Sequence, residues 1–118
     1  MSDLIKVTGV SGKGFHGVLK SERRKGQKFI VDVELTLTLA NLKDDLSKTV
    51  NYAQVAELIH EKITGKPVLL IETLAENIAK SVLKEFKKVR QVKVTVHKPK
   101  APIAVKFKDV TVEITRNR

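Results

Sequence analysis

Apolar and polar residues alternate strictly from Val31 to Leu39. The apolar positions hold Val and Leu, and the positions between them hold Asp, Glu and Thr. A period of two predicts a β-strand with one buried and one polar face, which is typical of an antiparallel sheet. We therefore predict a strand over Phe29–Leu39. Shorter alternating runs predict three more strands, over Leu4–Gly9, Val89–His97 and Val110–Ile114.

Two stretches between the second and third strands follow the spacing of amphipathic helices. The first begins after Asn51, a residue type that often caps helix N-termini, and ends at Gly65 and Pro67. The second runs from about Glu72 to Phe86. Their apolar stripes consist of Tyr52, Val55, Ala56, Ile59 and Ile63, and of Leu74, Ala75, Ile78, Ala79, Val82, Leu83 and Phe86.

The order of these elements is ββααββ. It predicts one α+β domain over residues 1–118, with two helices on one face of a four-stranded antiparallel sheet. Val10–Lys28 and Ala40–Lys48 are expected to be connections, and a change of parity before Val110 predicts a kink or bulge near Lys108–Asp109. Such a sheet leaves two exposed edges, which tend to pair with other chains. We expect subunits to join their edges into a closed barrel.

Composition narrows the function classes. The chain has no Cys, which excludes disulfides, thiolate metal sites and a Cys nucleophile. The net charge of +10 suggests nucleic-acid binding as a distant alternative, but the lysines are scattered and no aromatic residues are interleaved with them. The chain shows no signal pattern and no apolar run long enough for a membrane span. We expect a soluble, cytoplasmic protein without nucleic-acid or membrane partners.

Few residues stand out as candidates for metal or ligand binding. His16, His60 and His97 are far apart and lack metal-ligand spacing, so each is expected to be structural and no metal site is predicted. Glu72 follows an apolar run at the start of a helix. Its carboxylate either stabilises the helix N-terminus or accepts paired N–H donors from a heterocycle at the floor of a pocket.

Three further side chains could carry acid–base chemistry. Lys98 precedes a proline-bounded loop, and a lysine held in a cleft can serve as general acid or base, although most lysines are surface residues. Tyr52 is the single tyrosine, expected to pack its ring in the core with its hydroxyl free. Glu22 lies before two arginines and by itself predicts only a paired loop charge.

Four segments together resemble the dihydroneopterin aldolase family. The likeness covers nearly the whole chain, in order, and the Lys-Pro-x-Ala-Pro run is its most specific part. The segments are Phe15–Val18 with Glu22–Arg23 and Gly26–Phe29, then Asp44–Leu46 with Thr49–Ala53, then Leu70–Ala75, and finally His97–Ile103.

The resemblance implies a fold and a reaction. The fold would be the tunnelling fold, with four subunits forming a barrel, two rings stacking into an octamer and active sites between subunits. The reaction would convert 7,8-dihydroneopterin into 6-hydroxymethyl-7,8-dihydropterin and glycolaldehyde in folate biosynthesis, with epimerisation to dihydromonapterin as a side activity. No cofactor is implied. The alternative is an epimerase that acts on dihydroneopterin or its triphosphate and does not cleave, although such relatives lack the Lys-Pro-x-Ala-Pro run.

The resemblance also implies how the substrate is bound. Glu72 would bind the amino group and ring N–H edge of the pterin, and the backbone at Ile71, Thr73 and Leu74 would add further hydrogen bonds. Glu22 would hold the hydroxyl groups of the substrate side chain.

Catalytic roles follow from the same resemblance. Lys98, through a water molecule, would move the proton of the side-chain hydroxyl whose ionisation starts cleavage. Tyr52 of a neighbouring subunit would assist protonation of the enol-like intermediate. Glu22 is the next candidate for the general base.

Overall fold

The computed structural model describes residues 3–118 as four strands and three helices. In chain order they are β1 (Asp3–Gly14), α1 (Lys20–Lys25), β2 (Gln27–Leu37), α2 (Tyr52–Thr64), α3 (Ile71–Glu85), β3 (Gln91–His97) and β4 (Thr111–Asn117). A short 3₁₀ turn, Leu46–Lys48, precedes α2. None of the helices in this range is long and apolar enough to cross a membrane.

The strands form one antiparallel sheet in the order β1-β2-β3-β4. Alternate residues of the two central strands are buried against the helices: Phe29, Val31, Val33, Leu35 and Leu37 of β2, and Val92, Val94 and Val96 of β3. Helix α2 packs near β1, and α3 packs on β3 and β4. The predicted α+β fold, with two principal helices on one face of a four-stranded sheet, is confirmed.

Strand β1 differs most from its prediction, because it continues past Gly9 to Gly14. A bulge between Val7 and Val10 shifts its register against β2. Gly9 lies in this bulge with a φ of 81°, a conformation that glycine adopts without steric cost. The glycines of this region therefore bend a strand that the sequence had suggested would end there.

Two other predictions need correction. Helix α1 falls within the predicted connection Val10–Lys28, because its six residues are too short to show an apolar stripe and only Glu22 among them is buried. The kink expected near Lys108–Asp109 is wrong, because residues 98–110 form a loop between β3 and β4 and not a bent strand. The predicted ends of the other elements are correct to within a few residues.

Helices α2 and α3 are antiparallel. Asn51 and Gln54, at the start of α2, line the same surface depression as Glu85 and Phe86 at the end of α3. The predicted cap is confirmed, since Asn51 Oδ1 accepts a hydrogen bond of 3.0 Å from the N–H of residue 53. The start of α2 is therefore remote from the start of α3, separated by about 20 Å of helix at 1.5 Å per residue.

Candidate active site

Glu22 and Lys98 form a buried ion pair at one end of the sheet. The Lys98 Nζ lies 2.7 Å from Glu22 Oε2, and only 12% and 6% of the two side chains are exposed. Helix α1 supplies Glu22, and Lys98 is the first residue after β3. The Lys98 N–H donates a hydrogen bond of 2.8 Å to the Val110 carbonyl, which fixes the lysine backbone beside the start of β4. The pair thus joins residues from distant parts of the chain.

The Glu22 carboxylate accepts two further hydrogen bonds. The Leu19 N–H donates to Oε1 at 3.2 Å, and Gln27 Nε2 donates to Oε2 at 3.0 Å. Burial by itself would raise the pKa of Glu22, but the hydrogen bonds from Lys98, Leu19 and Gln27 outweigh it and hold the pKa below its ordinary value. Gly17 packs so closely that a Cβ there would overlap the carboxylate. The site therefore presents an ionised carboxylate beside an ammonium group.

His16 connects this pair to the segment that leads into α3. The ring is fully buried, Nε2 donates to the Ile63 carbonyl at 2.7 Å, and Nδ1 accepts from the Val68 N–H at 3.1 Å. Burial lowers the pKa of His16, which agrees with the neutral tautomer that these two bonds require. The Gly17 N–H also donates to the Val68 carbonyl at 3.0 Å. Val68 thus holds the start of α3 next to residues that contact Glu22.

The first turn of α3 provides polar groups that suit a planar heterocycle. Leu70 occupies the N-cap position and makes no side-chain cap. Its carbonyl accepts hydrogen bonds from the N–H groups of Thr73 and Leu74, which are therefore not available to a ligand as expected. The N–H groups of Ile71 and Glu72 are left for another acceptor. Glu72 is exposed in this turn. The side chains of Ile71 and Leu74 are buried in the core. The turn can therefore offer a carboxylate acceptor and amide donors to one edge of a ligand.

Comparison with known proteins decides the family. The family model for dihydroneopterin aldolase (FolB) matches residues 5–115. The chain belongs to the dihydroneopterin aldolase family. It is 49% identical to the dihydroneopterin aldolase of Streptomyces coelicolor and 44% identical to that of Bacillus subtilis, over 98% of each chain in both cases.

Solved structures agree with this assignment. The E. coli dihydroneopterin aldolase, crystallised with neopterin, superposes with a TM-score of 0.88 and 26% identity, covering 98% of this chain and 99% of the other. The predictions of the aldolase family and of its tunnelling fold are confirmed. The barrel of subunits lies beyond a single chain and stays a prediction.

The structure brings some of the residues named from the aldolase resemblance together and separates one. Glu22 and Lys98 are in contact. Ile71, Glu72, Thr73 and Leu74 lie at the start of α3, and the segment before α3 is bonded at Val68 to Gly17, which packs on Glu22. Tyr52 is the first residue of α2, at the end of that helix remote from the start of α3. It is 66% exposed, so the expectation that its ring packs in the core is wrong for the single chain.

Sequence reasoning missed two residues that shape this candidate site. Gln27 binds Glu22 directly, and the only sequence signal for it is its place in the Gly26–Phe29 run. His16 was expected to be structural, and its buried bridge agrees, but its link between Gly17 and the α3 segment was not foreseen. Within residues 3–118, no three His, Asp or Glu side chains are grouped so that they could hold a metal ion.

Proposed function

We propose that the chain cleaves 7,8-dihydroneopterin into 6-hydroxymethyl-7,8-dihydropterin and glycolaldehyde by general acid–base catalysis without a metal or cofactor. The buried Glu22–Lys98 pair, at 2.7 Å, carries this proposal. Gly17, which packs on Glu22, is bonded to Val68 in the segment that leads into α3. The pair provides a proton carrier and a hydroxyl acceptor where the side chain of a bound pterin would lie. The neopterin complex of the E. coli relative supports a pterin as the ligand.

The pterin would be anchored at the start of α3. A carboxylate such as Glu72 accepts two N–H bonds from an amino-pyrimidine edge, and charge-assisted bonds of this kind are the stronger class of hydrogen bond. The N–H groups of Ile71 and Glu72 would complete the edge, since those of Thr73 and Leu74 already donate to the Leu70 carbonyl. Because Ile71 and Leu74 are packed in the core, this edge is held rigidly.

Cleavage needs a proton to leave the C2′ hydroxyl of the substrate. The resulting oxyanion becomes the aldehyde of glycolaldehyde as the C1′–C2′ bond breaks. The electron pair of that bond moves into the ring C=N, which gives an enol-like intermediate. The neutral amine form of Lys98 accepts this proton through a water molecule, and the ammonium group so formed returns it, while Glu22 holds the hydroxyl groups. Protonation at C1′, assisted by Tyr52, gives the hydroxymethyl product. The substrate supplies its own electron sink, so positioning and proton transfer are sufficient.

Product analysis tests the reaction. The chain is incubated with 7,8-dihydroneopterin, and glycolaldehyde and both pterin products are quantified by chromatography. Glycolaldehyde in equal amount to 6-hydroxymethyl-7,8-dihydropterin supports the proposal. Dihydromonapterin without glycolaldehyde would instead show the alternative, an epimerase that does not cleave. A cytoplasmic location and the lack of a nucleic-acid partner stay predictions.

We also propose that each active site is shared between two subunits of a homo-oligomer. Tyr52 is remote from Glu22 and Lys98 within one chain, yet its ring is exposed, so a neighbouring subunit can present it to the pair. Both outer strands, β1 and β4, leave an edge that another subunit could pair with. A ring of such subunits, as a tetramer or an octamer, would place each Tyr52 beside another chain's pair.

Subunit mixing tests this arrangement. Lys98→Ala and Tyr52→Phe variants, each expected to be nearly inactive, are co-expressed and purified together. If Lys98 and Tyr52 act across an interface, about one quarter of the sites in random oligomers combine two intact residues and regain activity. Each variant mixed with wild-type chain serves as the control for assembly. Activity no higher than the mean of the two separate variants would show that both residues act within one chain.

A further inference from the structure

His97 lies between two carboxylates on the face of the sheet opposite the helices. Its Nε2 is 2.7 Å from Asp32 Oδ2, and its Nδ1 is 2.8 Å from Asp109 Oδ2. A carboxylate accepts hydrogen bonds and cannot donate them, so both ring nitrogens must carry a proton. The geometry therefore requires His97 to be an imidazolium. The side chain is partly buried, with 24% of its surface exposed.

The same two carboxylates extend this contact across the sheet. Asp32 Oδ1 accepts a hydrogen bond of 2.8 Å from the Gly9 N–H in the β1 bulge. Asp109 Oδ1 accepts a hydrogen bond of 2.8 Å from the Val110 N–H. The Val110 carbonyl in turn accepts a hydrogen bond from the Lys98 N–H. A continuous series of bonds thus runs from β1 through β2 and β3 to the backbone of Lys98.

The loop after Lys98 has little else to hold it. Its large apolar residues are exposed, with Ile103 at 45% and Val105 at 70%. The base of this loop is joined by the Lys98–Val110 backbone bond, by the pairing of His97 with Thr111 in the sheet, and by the side-chain bond between His97 and Asp109. Loosening that base would let the backbone of Lys98 move, and displacements of about 1 Å at a reacting group can cost about a hundredfold in rate.

We propose that His97 is a positioning residue for Lys98. As an imidazolium held between Asp32 and Asp109, it fixes the end of β3 to the segment before β4 and so keeps the Lys98 ammonium on Glu22. The inference rests on the proposed function of Lys98 as proton carrier. His97 itself faces away from Glu22, because adjacent residues of a strand point to opposite faces.

Because His97 is charged, the bridge between Asp32 and Asp109 depends on pH. Burial by itself would lower the pKa of His97, but the hydrogen bonds and charges of Asp109 and Asp32 outweigh it and raise the pKa above 6.5. The bridge is fully present below the ordinary histidine value and is lost as pH rises through the raised value.

The other charged groups on the sheet face opposite the helices do not bind His97 or either of its carboxylate partners. They are Lys6 of β1, Glu34 of β2, Lys93 of β3 and Glu113 of β4. Lys93 is bound by Glu34 at 3.3 Å and lies 3.8 Å from Glu113, so it forms a separate cluster further along the sheet. That cluster supplies a matched control, because Glu113 and Asp109 both place a carboxylate on this face.

The first test compares Asp109→Asn with Glu113→Gln. Each removes one negative charge without changing the size of the side chain. The histidine titration is followed by NMR, and kcat is measured against pH. We expect Asp109→Asn to lower the pKa of His97 and to move the loss of kcat on the alkaline side to lower pH, while Glu113→Gln changes neither. Neopterin affinity by calorimetry should be unchanged in both. A lowered His97 pKa with an unaltered kcat profile would overturn the proposal.

The second test is His97→Gln, which keeps one donor and removes the charge. We expect kcat to fall by about 10-fold to 100-fold at pH values where wild-type His97 is charged, with neopterin affinity within about threefold of wild type. The difference from wild type should shrink as pH rises through the raised His97 pKa, because the wild type then loses the same bridge. A looser Lys98 should also let the pKa of Glu22 rise, which carbon NMR of the carboxyl reports without turnover. Unchanged kcat, or an unchanged Glu22 titration, would refute the inference. Failure of the wild-type chain to release glycolaldehyde would instead defeat the proposed reaction, and the Glu22 titration would still decide the role of His97.

Discussion

Replacing Lys98 by Met separates the two roles of the Glu22–Lys98 pair. Met keeps most of the side-chain length and removes the ammonium group, so the proposed proton carrier is lost with little change in packing. Loss of a general acid–base group slows chemistry by about 10²–10⁴-fold, and we expect kcat to fall within that range. Neopterin affinity should change far less, because the pterin edge is bound at Glu72 and not at the pair.

The same change has a cost in stability that the structure allows us to estimate. Removing one partner of a buried ion pair costs about 3–5 kcal/mol, because the other charge is left desolvated. Glu22 keeps its bonds from Leu19 and Gln27, so we expect about 3 kcal/mol at neutral pH, at the lower end of that range.

This stability difference depends on pH with a definite sign. The folded-state pKa of Glu22 is depressed below 4.5, so its contribution is present above the unfolded value and is lost as pH falls through the folded one. The gap between wild type and Lys98→Met should therefore shrink below about pH 4.5, where Glu22 becomes protonated in the variant first.

Single-turnover kinetics and denaturant unfolding at several pH values measure these effects separately. Lys100→Met is the matched control, since Lys100 is exposed in the same loop and should affect neither rate nor stability. Lys98→Arg restores the charge but cannot release a proton near neutral pH, so it should recover stability without recovering kcat. A near-normal single-turnover rate for Lys98→Met would remove Lys98 from the mechanism, with Glu22 then the first residue to test as general base.

Three further predictions concern other parts of the chain. Glu72→Ala should weaken neopterin binding by about a hundredfold or more in calorimetry, since a charge-assisted pair of bonds is lost, and unchanged affinity would leave Glu72 as a helix-start carboxylate. Turnover should survive EDTA, and loss of activity that zinc restores would contradict the metal-free mechanism. Arg118→Ala should lower Tm by roughly 4–8 °C at fixed protein concentration, because its guanidinium donates to the carbonyls of Leu83, Phe86 and Val89 and each kcal/mol shifts Tm by about that much. A Tm equal to wild type would show that these bonds are offset by solvent.

Local periodicity was sufficient to predict most of the fold. The alternation from Val31 to Leu39 and the two apolar stripes specify buried faces, and a buried face fixes both the type of an element and its orientation. Helix α1 and the length of β1 were not predictable in this way. A six-residue helix shows too few turns for a stripe, and the Gly9 bulge breaks the period of two that identifies a strand.

The site depended on contacts that no local pattern encodes. Glu22 is preceded and followed by polar residues, and only the fold shows that Lys98 lies 2.7 Å from it. The resemblance to a family named both residues, but residue types alone assigned Glu22 to a surface pair with arginine. The prediction that the Tyr52 ring packs in the core was wrong for a related reason. An apolar stripe indicates which residues tend to be buried, but not whether they are buried within one chain or between chains.

The central position of β2 and β3 has a consequence for folding kinetics. The two strands are neighbours in the sheet, yet α2 and α3 separate them in the chain, so their pairing closes a long loop and forms slowly compared with local structure. Glu22 lies just before β2 and Lys98 just after β3, so the pair exists only once this long-range pairing is complete. On refolding, helical circular dichroism should return first and catalytic competence last, which makes enzyme activity a sensitive reporter of complete folding.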